Sequence, residues 1–187
     1  MKETDWFAGA TPQQMLRYLK GKGSERKLRL FAIAVHREYN RIEPGFANEA
    51  SLRATQKAEE IAEKGTSVDN ATWHRMGGYF ILNPTAFGAA KRLAENSDVP
   101  DKFKCDLLRC LFGNPFQPPV ADASWQSPKV IAMATRIYAK RAFDQMQLMA
   151  DALKKAGCAD KGMLDHCRHP APHARGCWVI DLLLGNV

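Results

Sequence analysis

At Thr11-Pro12, Asn83-Pro84 and Ser127-Pro128 a capping residue is followed at once by proline ahead of a run with helical apolar spacing. That pairing opens α-helices, because the capping side chain accepts a first-turn N–H while proline lacks a donor that the first turn cannot use. Between these starts apolar residues recur at three- and four-residue steps, with breaks at Gly21, Gly23, Pro44-Gly45, Gly65 and Gly157. The pattern predicts an all-α fold, a single compact domain over 1–187 with about eight or nine helices, an ordered Pro-rich loop and a Cys/His-rich C-terminal segment, 158–185. With 187 residues the chain can bury a core without disulfides or metal as obligatory staples.

A short turn around Trp6 and Phe7 precedes a helix from Pro12 to about Lys20. Ser24 caps a longer helix to about Arg41, on which Leu28, Phe31, Ala32, Val35, Tyr39 and Ile42 form a core-facing stripe and Arg26, Arg29, Arg37 and Arg41 fall largely opposite. Asn48 caps a helix ending near Lys64 and Gly65. The segment Asp69 to Leu82, interrupted at Gly77 and Gly78, reads as helix, and Asn83 starts another to about Glu95. Further helices span Phe103 to Phe112, begin at Ser127-Pro128, and carry Met146, Met149, Ala150 and Leu153 inward before stopping at Gly157. The prolines of GNPFQPP, 113–119, exclude helix and central strand there. Phe116 and Trp125 are the rings expected to anchor this ordered loop.

Charge is concentrated. The net charge is +7, and between Met15 and Arg41 the basic residues Arg17, Lys20, Lys22, Arg26, Lys27, Arg29, Arg37 and Arg41 face only Glu25 and Glu38, a surplus of six. Lys20, Lys22, Arg26, Arg29, Arg37 and Arg41 are therefore the candidate partner-binding residues, for an acidic protein surface or for nucleic-acid phosphates. No apolar run approaches the roughly 18 residues of a membrane span, so no membrane partner is expected. The opening MKETDWFAGA lacks the basic end and apolar run of a signal peptide, which points to the cytoplasm. Five cysteines without dense, regular spacing read as thiols or metal ligands rather than bridges.

Three of the five cysteines and three of the five histidines fall in CADKGMLDHCRHPAPHARGCWVIDLLLG, Cys158 to Gly185. Structural zinc sites take four Cys and His ligands, and the quartet that fits this segment is Cys158, Cys167, His173 and Cys177, with His166 or His169 as substitutes. Pro170 and Pro172 hold His169 to His173 extended, so those two rings start roughly 12 Å apart and one ion does not take both. The same residues allow a thiol enzyme with Cys167 or Cys177 as nucleophile, His173 or His169 as base and Asp165 or Asp181 orienting it. They also allow the plain alternative of small buried thiols and loop-bonded histidines. No H-E-x-x-H, G-x-S-x-G or phosphate-cradling glycine loop accompanies the cluster, and no catalytic residue is assigned.

The segments MLRYLKGKGSERKLRLFA, CDLLRCLFGNPFQPP, RAFDQMQLMADALKKAGC and HCRHPAPHARGCWVIDLLLG resemble a family of small planctomycete proteins, some encoded beside a repeat-companion domain. The likeness covers both ends and the centre and implies a shared fold unit, with no established activity to transfer. Where that family often has cysteines after the Leu-Phe-Ala segment, this chain has Ile33, Ala34, Val35 and His36, a departure that bears on any shared metal role of that helix. The sequence thus predicts a non-enzymatic interaction or accessory module with a protein partner. The alternatives are a nucleic-acid-binding module using 15–41 and, third, a Cys/His thiol enzyme. Structural zinc is the one cofactor the residues suggest.

Overall fold

A computed structural model describes residues 1–67, 69–75, 79–120 and 122–186. Among the described residues the chain is all helix, with eleven α-helices, four 3-10 turns and no strand. Its contacts cluster into two compact units, Met1–Leu108 and Arg109–Val187. The expected domain over 1–187 is thus organised as two units, with the boundary inside one helix.

The first unit contains α1 (Glu3–Ala8), α2 (Pro12–Leu19), α3 (Glu25–Ile42), α4 (Glu49–Lys64), α5 (Asn70–Arg75), α6 (Ala86–Glu95) and most of α7 (Asp101–Phe112), with 3-10 turns at Pro44–Phe46 and Phe80–Leu82. Caps set the starts: Thr11 Oγ1 accepts from Gln14 N, and Asn48 Oδ1 accepts from Ser51 N at 2.9 Å. The Asn83-Pro84 signal shifts by two residues. Thr85 caps α6 by accepting from Gly88 N, while Asn83 Oδ1 accepts from Thr85 N and organises the turn before it. Helix was expected through Leu82; α5 ends at Arg75, a 3-10 turn follows at Phe80–Leu82, and the break at Gly77 and Gly78 lies outside the described residues.

Helix α3 is the centre of this unit, packed against α4 on one side and α6 on another. Leu28, Phe31, Ala32 and Val35 are buried as the stripe requires, and Leu30, Ile33 and His36 join them because two neighbouring helices cover more of α3 than one stripe. Arg29, expected on the exposed face, is corrected by this packing: it is only 4 % exposed. Its Nη1 donates to the carbonyls of Ile81 and Asn83, both at 3.1 Å, and its Nη2 to that of Pro84 at 3.4 Å. The guanidinium therefore satisfies carbonyls that the 3-10 turn cannot pair internally. Lys104 does the same for α6, donating Nζ to Ala94 O and Ser97 O at 3.0 and 3.1 Å.

The second unit holds the end of α7, a 3-10 turn at Ala123–Trp125, α8 (Pro128–Lys140), a 3-10 turn at Phe143–Gln145, α9 (Met146–Lys155), α10 (Lys161–Arg168) and α11 (Trp178–Leu184). Val130, Ala134, Ile137, Met146, Met149, Leu153, Met163, Val179, Ile180 and Leu183 form its core, with Trp125 packed against it and Phe116 half-buried. The last two helices exceed the expected eight or nine, and both come from the Cys/His-rich segment. Asp160 starts α10 by accepting from Met163 N at 2.9 Å, and burial of Val179, Ile180 and Leu183 holds α11. Among the described residues no helix is long and apolar enough to cross a membrane.

Candidate metal centre

The second unit brings together Cys110, His166, His173 and Cys177, whose ligand atoms all lie within 4.8 Å of one another. They come from three pieces of chain, the end of α7, α10 and the loop before α11. Cys110 sits in the last turn of α7, three residues before Gly113, whose φ of +61° ends the helix. His166 lies on α10, one turn after the inward-facing Met163. His173 belongs to the proline-rich loop, and Cys177 is the residue before α11.

That loop is tethered near its C-terminal end. Arg175 donates from Nε and Nη2 to the carbonyls of Tyr138 and Ala139, each at 3.3 Å, so the C-terminal end of α8 anchors it. Cys177 N donates to Ala174 O at 3.0 Å, a tight turn that needs the +87° φ of Gly176. The Trp178 ring then packs on Gly113, where a Cβ would stand 3.1 Å from Trp178 Cγ, and lies 5.4 Å from the His166 ring. His166 and His173 meet edge to face at 4.9 Å. Trp178 thereby ties the α7 end, the α10 histidine and the α11 start into one arrangement.

The distances suit a tetrahedral ion. With zinc at about 2.3 Å from sulfur and about 2.0–2.1 Å from nitrogen, neighbouring ligand atoms stand about 3.3–3.8 Å apart. Cys110 Sγ lies 3.5 Å from His173 Nδ1, and Cys177 Sγ lies 3.3 Å from His166 Nε2. Both sulfurs are buried, with Cys177 completely so, and both histidines are half-buried. Burial is the strongest influence on Cys177 and pushes its thiol up. Hydrogen bonding with Cys110, the charge and hydrogen bond of His166 and the hydrogen bond of His173 together outweigh it and hold the group well below the usual thiol range. Thiolate is the form that ligates metal. His173 meets Cys110 through Nδ1, while its Nε2 is buried with no hydrogen-bond partner. Two thiols and two imidazoles form a soft-to-borderline donor set, which suits zinc and discriminates against magnesium and calcium.

The structure brings together His173 and Cys177 of the sequence-predicted quartet, with His166 from the substitutes, and replaces the other two. Cys158 turns its Sγ toward Met163 Sδ at 3.9 Å, and Cys167 is buried beside α9; neither belongs to the four-atom group. Burial pushes both thiols up, the state of inert core cysteines. His169 is exposed at the end of α10. The fourth position is Cys110, more than fifty residues before the others. Its signal was periodicity: it stands three residues after buried Leu107 and beside buried Leu111, so it shares their inward face.

The candidate partner-binding cations are mostly engaged inside the protein. Arg26 pairs with Glu63 at 3.7 Å, Arg37 with Glu59 at 3.0 Å and Arg41 with Glu38 at 2.6 Å, while Arg29 is buried. Helix α4 supplies two of these carboxylates, which a count along 15–41 does not include. Lys22 Nζ sits 4.2 Å over the Tyr18 ring and Lys20 Nζ 5.6 Å over Phe87. Compared with protein-family models, curated proteins and solved structures, the chain matches none.

Proposed function

We propose that this chain is a non-enzymatic helical accessory module whose C-terminal unit is built around one zinc-class ion. The observation that carries the reading is the convergence of Cys110, His166, His173 and Cys177 from three separate pieces of chain, the end of α7, α10 and the loop before α11, to within 4.8 Å. A structural role is favoured over catalysis because four protein donors fill a tetrahedral shell, whereas catalytic zinc keeps a position open for water or substrate. The thiol-enzyme alternative is disfavoured by the same geometry, since Cys177 is fully buried and both imidazoles beside it belong to the four-atom group. A protein partner is favoured over nucleic acid, because four of the six candidate cations are buried or face carboxylates.

Kinship with the small planctomycete proteins belongs to this proposal. Two of the resembling segments, CDLLRCLFGNPFQPP and HCRHPAPHARGCWVIDLLLG, are the ones that carry all four ligands. The test is metal content after purification without added metal. About one equivalent of zinc per chain is expected, and cobalt substitution should give the intense visible absorption of a tetrahedral thiolate site. A metal-free protein with an ordered 158–185 segment would overturn the reading.

A further inference from the structure

We infer that Cys110 and Cys177 are a redox pair, and that a peroxide closes a disulfide between them and expels the ion. The inference rests on the metal reading above and adds regulation to it. The two sulfurs lie within 4.8 Å of each other, and each meets an imidazole, Cys110 Sγ at 3.5 Å from His173 Nδ1 and Cys177 Sγ at 3.3 Å from His166 Nε2. Two sulfurs sharing a tetrahedral ion stand about 3.8 Å apart, against about 2.0 Å in a disulfide, so closure asks for a movement of roughly 2 Å. Cys177 is placed to supply it, since it follows a glycine turn and a loop with prolines at 170 and 172.

The other thiols are disposed differently. Cys105 donates its thiol to Ala10 O at 3.3 Å, Cys158 faces a methionine sulfur, and burial keeps Cys167 protonated. The pair at the site has imidazoles beside it, His173 by Cys110 and His166 by Cys177. His166 and His173 are half-buried while the sulfurs are buried, which makes the histidine side the approach for a small oxidant.

In the reaction the Cys177 thiolate attacks a peroxide oxygen. An S–O bond forms, the O–O bond breaks, and the hydroxide that leaves takes a proton to become water. The Cys110 thiolate then attacks the sulfenic sulfur, forming the S–S bond and breaking S–O, and the second hydroxide also leaves as water. Two thiolates, one hydrogen peroxide and two protons give one disulfide and two waters; the sulfurs lose two electrons and the peroxide gains them. Closure removes both anionic ligands together. Two neutral imidazoles are too few to hold the ion, and thiol reductants reverse the change.

The experiment treats the full chain with hydrogen peroxide while a chromophoric chelator reports free zinc, followed by non-reducing peptide mapping. The expected result is release of about one zinc per chain, together with a Cys110–Cys177 cross-linked peptide and recovery after dithiothreitol and zinc. Cys105→Ser should behave as the parent protein does, and Cys110→Ser should form no cross-link. Zinc retained under oxidant, sulfinic acid on a single cysteine, or a cross-link to another cysteine would overturn the inference while leaving the metal reading standing. If the untreated protein carries no zinc, the metal reading and the expulsion step fall together, whatever cross-link forms.

Discussion

The two units treat buried polar groups in opposite ways. In Met1–Leu108 the buried cations end on the protein's own carbonyls: Arg29 on those of Ile81, Asn83 and Pro84, Lys104 on those of Ala94 and Ser97. His36 Nε2 meets Ser51 Oγ at 2.9 Å, and Asn40 Nδ2 donates to the same oxygen at 2.9 Å. In Arg109–Val187 two thiols and two imidazoles face one another; each unit also keeps one buried atom without a hydrogen-bond partner, Asn40 Oδ1 in the first and His173 Nε2 in the second. In the metal reading proposed above, the soft donors of the second unit would be completed by an ion, whereas the buried cations of the first unit are satisfied by groups of the chain itself.

The largest expected effect tests the second half of that contrast. A structural zinc contributes on the order of 10 kcal/mol, comparable with the whole stability of a domain. Cys177→Ser should therefore drop metal content below about a tenth of an equivalent, given the loss of a thiolate ligand. It should also abolish hydrogen-exchange protection in α10 and α11, while α3 and α6 keep theirs. Unchanged protection in α10 would mean that packing of Met163, Val179 and Leu183 suffices, and the contrast between units would break.

Next in size is the acid response of the first unit. Burial, with Arg37 adding to it, lowers His36 from 6.5 to about 4. The unfolded chain binds this proton more readily than the folded one between those values. The neutral histidine's contribution is thus fully present above pH 6.5 and is lost as pH falls toward 4, by up to about 3 kcal/mol. Denaturant titrations across pH 4 to 7 should show this slope in the parent protein and a flatter one in His36→Gln. Equal slopes would place the titrating group elsewhere.

Arg29→Met keeps much of the buried stem and removes the donors, leaving three carbonyls to share what water can reach. A loss of about 2–3 kcal/mol is expected in chemical denaturation, from buried groups left unsatisfied. A loss below about 0.5 kcal/mol, the scale of a surface change, would show that the 3-10 turn satisfies its own carbonyls. Arg37→Gln should be the mildest, because its pairing with Glu59 is an exposed ion pair worth about 0.2–1 kcal/mol. If instead it costs as much as Arg29→Met, the distinction between the buried and solvated cations of α3 fails.

Much of this architecture was legible along the chain. The caps at Thr11, Ser24, Asn48 and Ser127 start the helices where hydrogen bonding places them, because capping is local and needs only a side-chain oxygen two or three residues from an open N–H. Asn83 misled because a second capping residue, Thr85, follows it and takes the role. Arg29 misled for a different reason. Its position opposite the apolar stripe describes one helix, and whether that face meets solvent depends on the carbonyls that another segment delivers to it.

The candidate metal centre divides in the same way. His173 and Cys177 are close in sequence and share a loop that prolines and Gly176 shape locally, so their nearness could be read from the residues. Cys110 enters only through the packing that carries the end of α7 to the turn before α11, with Trp178 resting on Gly113. Periodicity and capping act over three or four residues and are written in the sequence itself. Which cysteine completes a four-ligand site is decided where distant segments share a core, and that selection belongs to the tertiary structure because ligand geometry is a condition on space rather than on spacing.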